Sequence, residues 1–530
     1  MVDGIGTGER EAVKSSGKAA AVKSRRAAKP VKKGFKLKNH IRFVTATSLF
    51  DGHDAAINVM RRMIQGTGAE VIHLGHNRSV EEIISAAIDE DVQGIAISSY
   101  QGGHIEFFQY MIDLLKQRGA GHIKVYGGGG GVIVPEEVRA LHEYGVSRIY
   151  TPEDGQAMGL LGMIEDLVGR ADFDLSKKLP KTLAKLKKGD RGALARLITG
   201  LEAGTLSKAM RKDLTALAKK RTSVNEAGVP VVGITGTGGA GKSSLTDEVV
   251  RRLRTDQPDM KIAIIAVDPS RRKSGGALLG DRIRMNAINR FPGDGSVYLR
   301  SLATRDSGSE LAACLPGAIA ACKAAGYDFV LVETSGIGQG DAAIVPFVDL
   351  TIYAMTPEYG AASQLEKIDM LDFADLVAIN KFDRKGARDA FRDVRKQYQR
   401  NHELFTQEVD EMPVFGTIAS KFNDDGVTAL YHGILGALAE RGLAQLSSSL
   451  PDNPNKCSSR QDFIVPSDRV QYLAEIARGI RSYHKSVANR AAAARERQQL
   501  IASRDILAAG GAPKAQLARM EELASQRNKI

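Results

Sequence analysis

Gly236-Thr237-Gly238-Gly239-Ala240-Gly241-Lys242-Ser243 follows the apolar run Val231 to Thr235 and precedes a helical stretch that starts at Ser244. Glycines let such a loop wrap its amide N–H groups around phosphate, and the helix N-terminus adds positive potential. Lys242 then reaches the terminal phosphates and Ser243 offers an oxygen to Mg²⁺. Gly236, Gly238, Gly239, Ala240, Gly241, Lys242, Ser243 and Ser244 are therefore the candidate phosphate-binding set. Asp328 to Glu333 has a buried-strand pattern that ends in an acid and is followed by Thr334-Ser335-Gly336, which makes Glu333 a candidate Mg²⁺-side carboxylate. Asn380-Lys381-Phe382-Asp383 closes a further apolar strand. Asp383 is suited to accept hydrogen bonds from the ring N–H and the exocyclic amine of guanine, a donor pair that adenine lacks, so the expected nucleotide is GTP. Asn380 and Lys381 belong to the same base-side group, and Ser420 in Ala419-Ser420-Lys421 supplies the last base contact.

Between these pieces, Asp268 and Asp281 frame the polar, glycine-containing stretch Arg271 to Gly276, which is suited to a switch loop that orders on nucleotide binding. With these residues in place the region resembles the G-protein chaperones of cobalamin-dependent acyl-CoA mutases. The resemblance implies that Lys242 and the carboxylates Asp268, Asp281 and Glu333, with Ser243, surround the nucleotide and Mg²⁺. Lys242 and Mg²⁺ would neutralise developing phosphate charge, Gln339 is the candidate for orienting water, and Arg271 or Arg272 is a candidate in-cis charge stabiliser.

A second constellation lies upstream. Asp51-Gly52-His53, Ser98 and Gly130-Gly131 resemble the D-x-H, S-x-L and GG elements of base-off cobalamin domains. The resemblance implies that the His53 imidazole replaces the cofactor's own benzimidazole as lower ligand to cobalt, while Asp51 fixes its tautomer and basicity. Ser98, Tyr100, Gly130 and Gly131 would leave a slot for the displaced nucleotide tail. Two positions depart from the family pattern, Ala56 standing for a glycine and Tyr100 for a leucine; both belong to the packing of the slot, so altered contacts are expected. His73, His76 and His104 are read as structural or solvent-exposed.

Both constellations need parallel α/β scaffolds. Strands at Ile41 to Thr45, Glu70 to Leu74, Val92 to Ser98, Ile123 to Tyr126 and Ser147 to Tyr150 alternate with helical segments near 54–66, 79–89, 104–118 and 135–144. That alternation predicts a flavodoxin-like doubly wound domain with its ligand at the carboxyl ends of the strands, where the order switches between the first and third. The expected division is a basic disordered tail at 1–40, a cobalamin-binding domain at 41–170 and a helical linker at 171–227. A P-loop GTPase domain at 228–445 and a helical connector at 446–530 complete it.

The 530 residues are 43% hydrophobic and 26% charged, which excludes a wholly disordered or fibrous chain. No apolar stretch approaches a membrane span, and the three cysteines form neither a C-x-x-C pair nor a zinc-finger cluster. Residues 1–40 hold eleven Lys/Arg against three acids, so of the net +12 only +4 is spread over the remaining 490 residues. That tail interleaves no aromatic residues before Phe35, so neither nucleic acid nor membrane is an expected partner. A cytoplasmic location is expected.

The combination resembles the N-terminal portion of the fused isobutyryl-CoA mutases, over roughly residues 40–505. In that family a TIM barrel binds the acyl-CoA. The resemblance implies an adenosylcobalamin-binding, GTP-hydrolysing part that interconverts isobutyryl-CoA and butyryl-CoA only with a barrel domain or subunit, in a homo- or hetero-oligomer. The alternatives are a corrinoid carrier and chaperone GTPase without mutase activity, and a metal-insertion GTPase whose first domain binds no corrinoid.

Overall fold

Buried runs of Val, Ile and Ala alternate with amphipathic helices from Arg42 onward, because a parallel sheet covered on both faces needs apolar strands and one-sided helices. The computed structural model describes residues 35–221, 228–271, 273–290, 296–305, 311–336, 342–360, 362–443, 445–459 and 471–527. The first domain runs β1 (Arg42–Ser48), α1 (Asp54–Gly66), β2 (Glu70–Arg78), α2 (Val80–Asp89), β3 (Gly94–Ser98), α3 (His104–Gln117), β4 (Lys124–Gly128), α4 (Pro135–Tyr144), β5 (Arg148–Tyr150) and α5 (Pro152–Arg170). Its strands lie parallel in the order β5-β4-β3-β1-β2, so the order reverses between β1 and β3. Helix starts are written locally: Ser79 with Glu82, and Thr151 with Asp154, form capping boxes at α2 and α5.

A 3₁₀ turn and three helices follow, α6 (Ala184–Lys187), α7 (Arg191–Glu202) and α8 (Lys208–Lys219). Leu194, Leu197 and Ile198 of α7 share a core with residues of the second domain such as Leu315, Ile319 and Val330. The segment expected as a linker is thus packed against the domain it leads into.

The second domain runs β6 (Val231–Gly236), α9 (Lys242–Asp256), β7 (Ile262–Asp268), β8 (Leu278–Leu279), α10 (Asn286–Arg290), β9 (Val297–Ala303), α11 (Leu315–Ala324) and β10 (Phe329–Glu333), then β11 (Leu350–Met355), α12 (Ala362–Leu365), β12 (Leu376–Asn380), α13 (Ala387–Asn401), β13 (Val414–Thr417) and α14 (Asp425–Glu440). Seven of its strands form a parallel sheet in the order β13-β12-β11-β6-β10-β7-β9, with β6 at the centre. The eighth, β8, belongs elsewhere. It pairs with β2, Val71 opposite Leu278 and Ile72 opposite Leu279, and so adds a sixth strand to the first domain's sheet.

Two expectations change. Residues 35–40 are anchored: the amides of Lys38 and Asn39 donate to the Asp172 carboxylate at 2.8 and 3.1 Å, and Phe35 packs on the first core. Residues 1–34 lie outside the described set. The part expected as a helical connector at 446–530 divides, its long helix being α15 (Tyr472–Ala509). That helix ends where Gly511 takes φ 75°, and α16 (Lys514–Arg527) follows. Residues through Ser459 form one compact unit and those from Arg460 a second. Within the second, Arg504 pairs with Glu521 and Arg527 with Glu496.

Candidate functional site

β1 delivers Asp51-Gly52-His53 to the carboxyl edge of the first sheet, β3 delivers Ser98 and Tyr100, and β4 delivers the glycines, so the three sequence elements meet at one switch point. Asp51 is buried, while the His53 side chain is 73% exposed. The Asp51 carboxylate accepts from the His53 amide at 2.9 Å and from the Tyr100 amide at 2.7 Å, and it pairs with His53 Nδ1 at 2.8 Å. Burial pushes this carboxyl up, but the two amides and the imidazole outweigh it and hold Asp51 below the usual carboxylate range. A carboxylate facing Nδ1 requires the proton there. In the neutral ring Nε2 then carries the lone pair, and an imidazole in that state can ligate a metal.

Beside this dyad lies a cavity of about 260 Å³, lined by Ala56, Ile57, Ser98, Tyr100, Gly127 to Gly130, Tyr126, Tyr150 and Met163 among others. The glycines are required by space. A Cβ on Gly129 would stand 1.9 Å from the Ser99 carbonyl oxygen, and one on Gly127 would stand 2.5 Å from the Phe108 ring. Gly130 has φ 61° and abuts Tyr100, whereas Gly131 is open. Both departures from the family pattern, Ala56 and Tyr100, line the cavity. An apolar slot next to an outward-facing imidazole fits a corrinoid with its tail displaced. The aromatic and Met lining, Tyr126, Tyr150 and Met163, was not singled out from sequence; its only signal is placement in β4, β5 and α5. His73 is buried with Nδ1 at 3.0 Å from Thr45 Oγ1, His104 pairs with Glu137 at 2.9 Å, and His76 is exposed.

The second site lies at the carboxyl edge of the other sheet. The loop between β6 and α9 puts Gly236 and Gly241 at φ 141° and 89°, and a Cβ on either would collide with Ala354 O or Asn380 Nδ2. Lys242 Nζ donates to the carbonyls of Gly236 and Thr237 at 3.1 and 3.2 Å, and Ser243 Oγ donates to Glu333 at 2.7 Å. Thr246 also donates to Glu333, at 3.0 Å, a contact not foreseen from sequence. Asn380 Nδ2 donates to Ala240 O at 2.7 Å and its Oδ1 accepts from the Ala419 amide at 3.0 Å, so it fastens the base-side loops to the phosphate loop. Lys381, at φ 58°, donates from Nζ to Gly239 O at 2.7 Å. Asp383 and Ser420 are exposed on the same edge and Ser244 is half-buried. Thr237 Oγ1 and Ser335 Oγ are buried without a hydrogen-bond partner, as expected of a loop built for an anion.

Asp268 ends β7 and Asp281 opens the 3₁₀ turn Asp281–Arg284. Arg271 is engaged by the first domain: with the Gln65 amide oriented to satisfy both its atoms, Gln65 of α1 accepts from Arg271 Nε at 3.2 Å. Gln339 and Arg272 lie outside the described residues. Among the described residues no group of three or more His, Cys, Asp and Glu is arranged to hold a metal, and no helix is long and apolar enough to cross a membrane.

A family model described as the B12 binding domain matches residues 41–157, and one described as methylmalonyl Co-A mutase-associated GTPase MeaB matches residues 194–443. The chain is 62% identical over 491 residues to the fused isobutyryl-CoA mutase of Cupriavidus metallidurans, a match covering 92% of this chain and 44% of that protein. With the fused isobutyryl-CoA mutase of Geobacillus kaustophilus it shares 54% identity over 475 residues, 88% of this chain and 42% of the relative. The mouse methylmalonic aciduria type A homolog, mitochondrial, is 34% identical over 206 residues, 37% of this chain and 48% of its own length. The chain spans less than half the length of the fused isobutyryl-CoA mutases it matches.

Proposed function

From a chain that joins a B12-binding domain to a MeaB-family GTPase domain, and that resembles the corresponding portion of a fused isobutyryl-CoA mutase, we propose an adenosylcobalamin-binding, GTP-hydrolysing part of a cobalamin-dependent acyl-CoA mutase. The observation that carries this reading is the Asp51–His53 dyad at the mouth of a glycine-walled slot, on the same polypeptide as a P-loop whose Ser243 meets Glu333. His53 Nε2 would ligate the cobalt with Asp51 holding the proton on Nδ1, and Ser98, Tyr100 and Gly130 would bound the slot for the nucleotide tail, Gly131 lying outside its lining. When bound, adenosylcobalamin supplies radical chemistry through its cobalt–carbon bond.

In the second domain Lys242 leaves its loop carbonyls for the terminal phosphates. Ser243, Asp268, Asp281 and Glu333 form the Mg²⁺ side, while Asn380, Lys381, Asp383 and Ser420 hold guanine. Gln339 orients water. A charge-stabilising role for Arg271 requires it to exchange Gln65 for phosphate once nucleotide is bound. The domain division 41–170, 171–227, 228–445 and 446–530 accompanies this reading.

Lys242→Ala should lower GTP turnover at least about 100-fold, since the lysine charge acts on the transferring phosphoryl group; unchanged turnover contradicts the hydrolytic assignment. The substrate is isobutyryl-CoA, bound by a barrel domain or subunit that assembles with this chain in the cytoplasm. Mixing the purified chain with a separate barrel subunit, adenosylcobalamin and isobutyryl-CoA should yield butyryl-CoA. Cofactor uptake with no product under those conditions favours a carrier without mutase activity.

A further inference from the structure

Asp89-Glu90-Asp91 closes α2 at the edge of the first sheet opposite the His53 loop, and all three acids are buried. Each has been given arginines from beyond its own domain. Asp89 accepts from Arg191 Nε and Nη2 at 2.9 and 2.6 Å and from Arg282 Nη2 at 2.9 Å. Glu90 accepts from the Ser301 amide and hydroxyl at 3.0 and 2.9 Å, with Arg282 and Arg42 at 3.6 and 3.7 Å. Asp91 takes Arg196 of α7 at 2.7 Å and Thr199 at 2.6 Å. Asp89 and Glu90 thus grip the nucleotide-side segment, whereas Asp91 grips only the helix that precedes the second domain.

Arg282 is the residue after Asp281. The stretch between Asp268 and Asp281 is held to the first domain along its length: β8 extends that sheet at β2, the Val71 amide donates to Ala277 O at 2.9 Å, and Ser274 Oγ donates to Gln65 O of α1 at 3.4 Å. Arg282 finishes the attachment by donating to Leu299 O at 3.0 Å and to Asp89. A buried carboxylate that accepts from two guanidiniums is a fixed post for both, and removing it leaves Arg282 with only the more distant Glu90 and the Leu299 carbonyl.

We infer that Asp89 is a positioning residue for the magnesium–nucleotide site: by clamping Arg282 it fixes, from the first domain, the backbone that presents Asp281. The inference rests on the reading of Asp281 as a Mg²⁺-side carboxylate. Because Asp281 engages nucleotide through the cation, loss of the clamp weakens nucleotide binding only when Mg²⁺ is present. Linkage makes the effect reciprocal, so Mg²⁺ with nucleotide also tightens the clamp.

The test is a Mg²⁺ titration of fluorescent GDP binding to the full chain, beside the same measurement in EDTA. Asp89→Asn should raise the Mg²⁺ concentration for half-maximal nucleotide affinity by at least about fivefold, the lower end of ordinary coupling, and leave affinity in EDTA unchanged. Asp91→Asn, which breaks an equally buried ion pair not attached to the switch segment, should lower the melting temperature without moving the Mg²⁺ midpoint. If Asp89→Asn does not fold, Arg282→Gln removes the switch-side partner and leaves Asp89 with Arg191; it carries the same prediction, with Arg282→Lys restoring part of the midpoint. An unmoved midpoint in the Asp89 and Arg282 variants, or an equal shift in Asp91→Asn, overturns the inference. If the unaltered chain binds GDP with no dependence on Mg²⁺, the reading of Asp281 falls first and the clamp with it.

Discussion

Asp51 shows how much a single buried carboxylate decides. It collects two amides and one ring nitrogen, and in doing so fixes the His53 tautomer, joins the β1 loop to the β3 loop through Tyr100, and stays ionised despite burial. His73 illustrates the opposite case. Burial first, then the charge of Arg61, lowers its imidazole to about 4. The native state therefore holds it neutral, while the unfolded chain takes up a proton near the ordinary value of about 6.5. Between these values the unfolded state binds more protons, so stability is complete above about pH 6.5 and falls as the pH drops toward 4, by at most about 3 kcal/mol. Urea unfolding across that window should show the slope in the unaltered chain and a flatter one in His73→Gln; identical slopes contradict a neutral buried His73. D-x-H, the P-loop and N-K-x-D are legible as short strings because their spacing is set by a single turn. Thr246 on Glu333 and Asn380 on Ala240 are not, since each contact joins residues far apart in sequence.

At the scale of elements, the loop after β4 does most to shape the slot. Gly129 sits so close to the Ser99 carbonyl that any side chain must push β3 and β4 apart. Gly129→Ala should lower cobalamin affinity at least about tenfold, and GTP binding, which depends on the other sheet, should persist; cobalamin affinity equal to that of the unaltered chain contradicts the slot assignment. The five strands and their helices were readable because period and punctuation agree along residues 41–150: apolar runs end in Gly, Ser or Asp, and helices open at Ser79 or Pro135. Strand β8 was not. Two leucines carry no period, and the pairing that makes them a strand is supplied by β2 of the other domain. The same segment reads locally as a polar switch loop, and the structure adds that its far end is built into the first sheet.

For the whole molecule, charge placement says more than net charge. The excess of +8 in residues 1–40 leaves a near-balanced remainder, whose buried arginines and acids meet at the boundary between the two α/β domains. Arg42, Glu70, Glu202, Arg300 and Arg305 form a continuous set there, drawing on β1, β2, α7 and β9. Composition revealed none of this, because a buried ion-pair network and a solvated charged surface use the same residues. The two-domain organisation was legible, and the way the domains are joined was not. The account's central claim is that a protein imidazole holds the cobalt of a corrinoid bound to the first domain. Electron paramagnetic resonance of cob(II)alamin bound to the chain labelled with ¹⁵N-histidine tests it most directly. Coordination through His53 predicts that the nitrogen splitting changes from the triplet of ¹⁴N to the doublet of ¹⁵N, and that His53→Ala loses the doublet. A triplet that persists in the labelled protein, from the cofactor's own benzimidazole, would contradict the account.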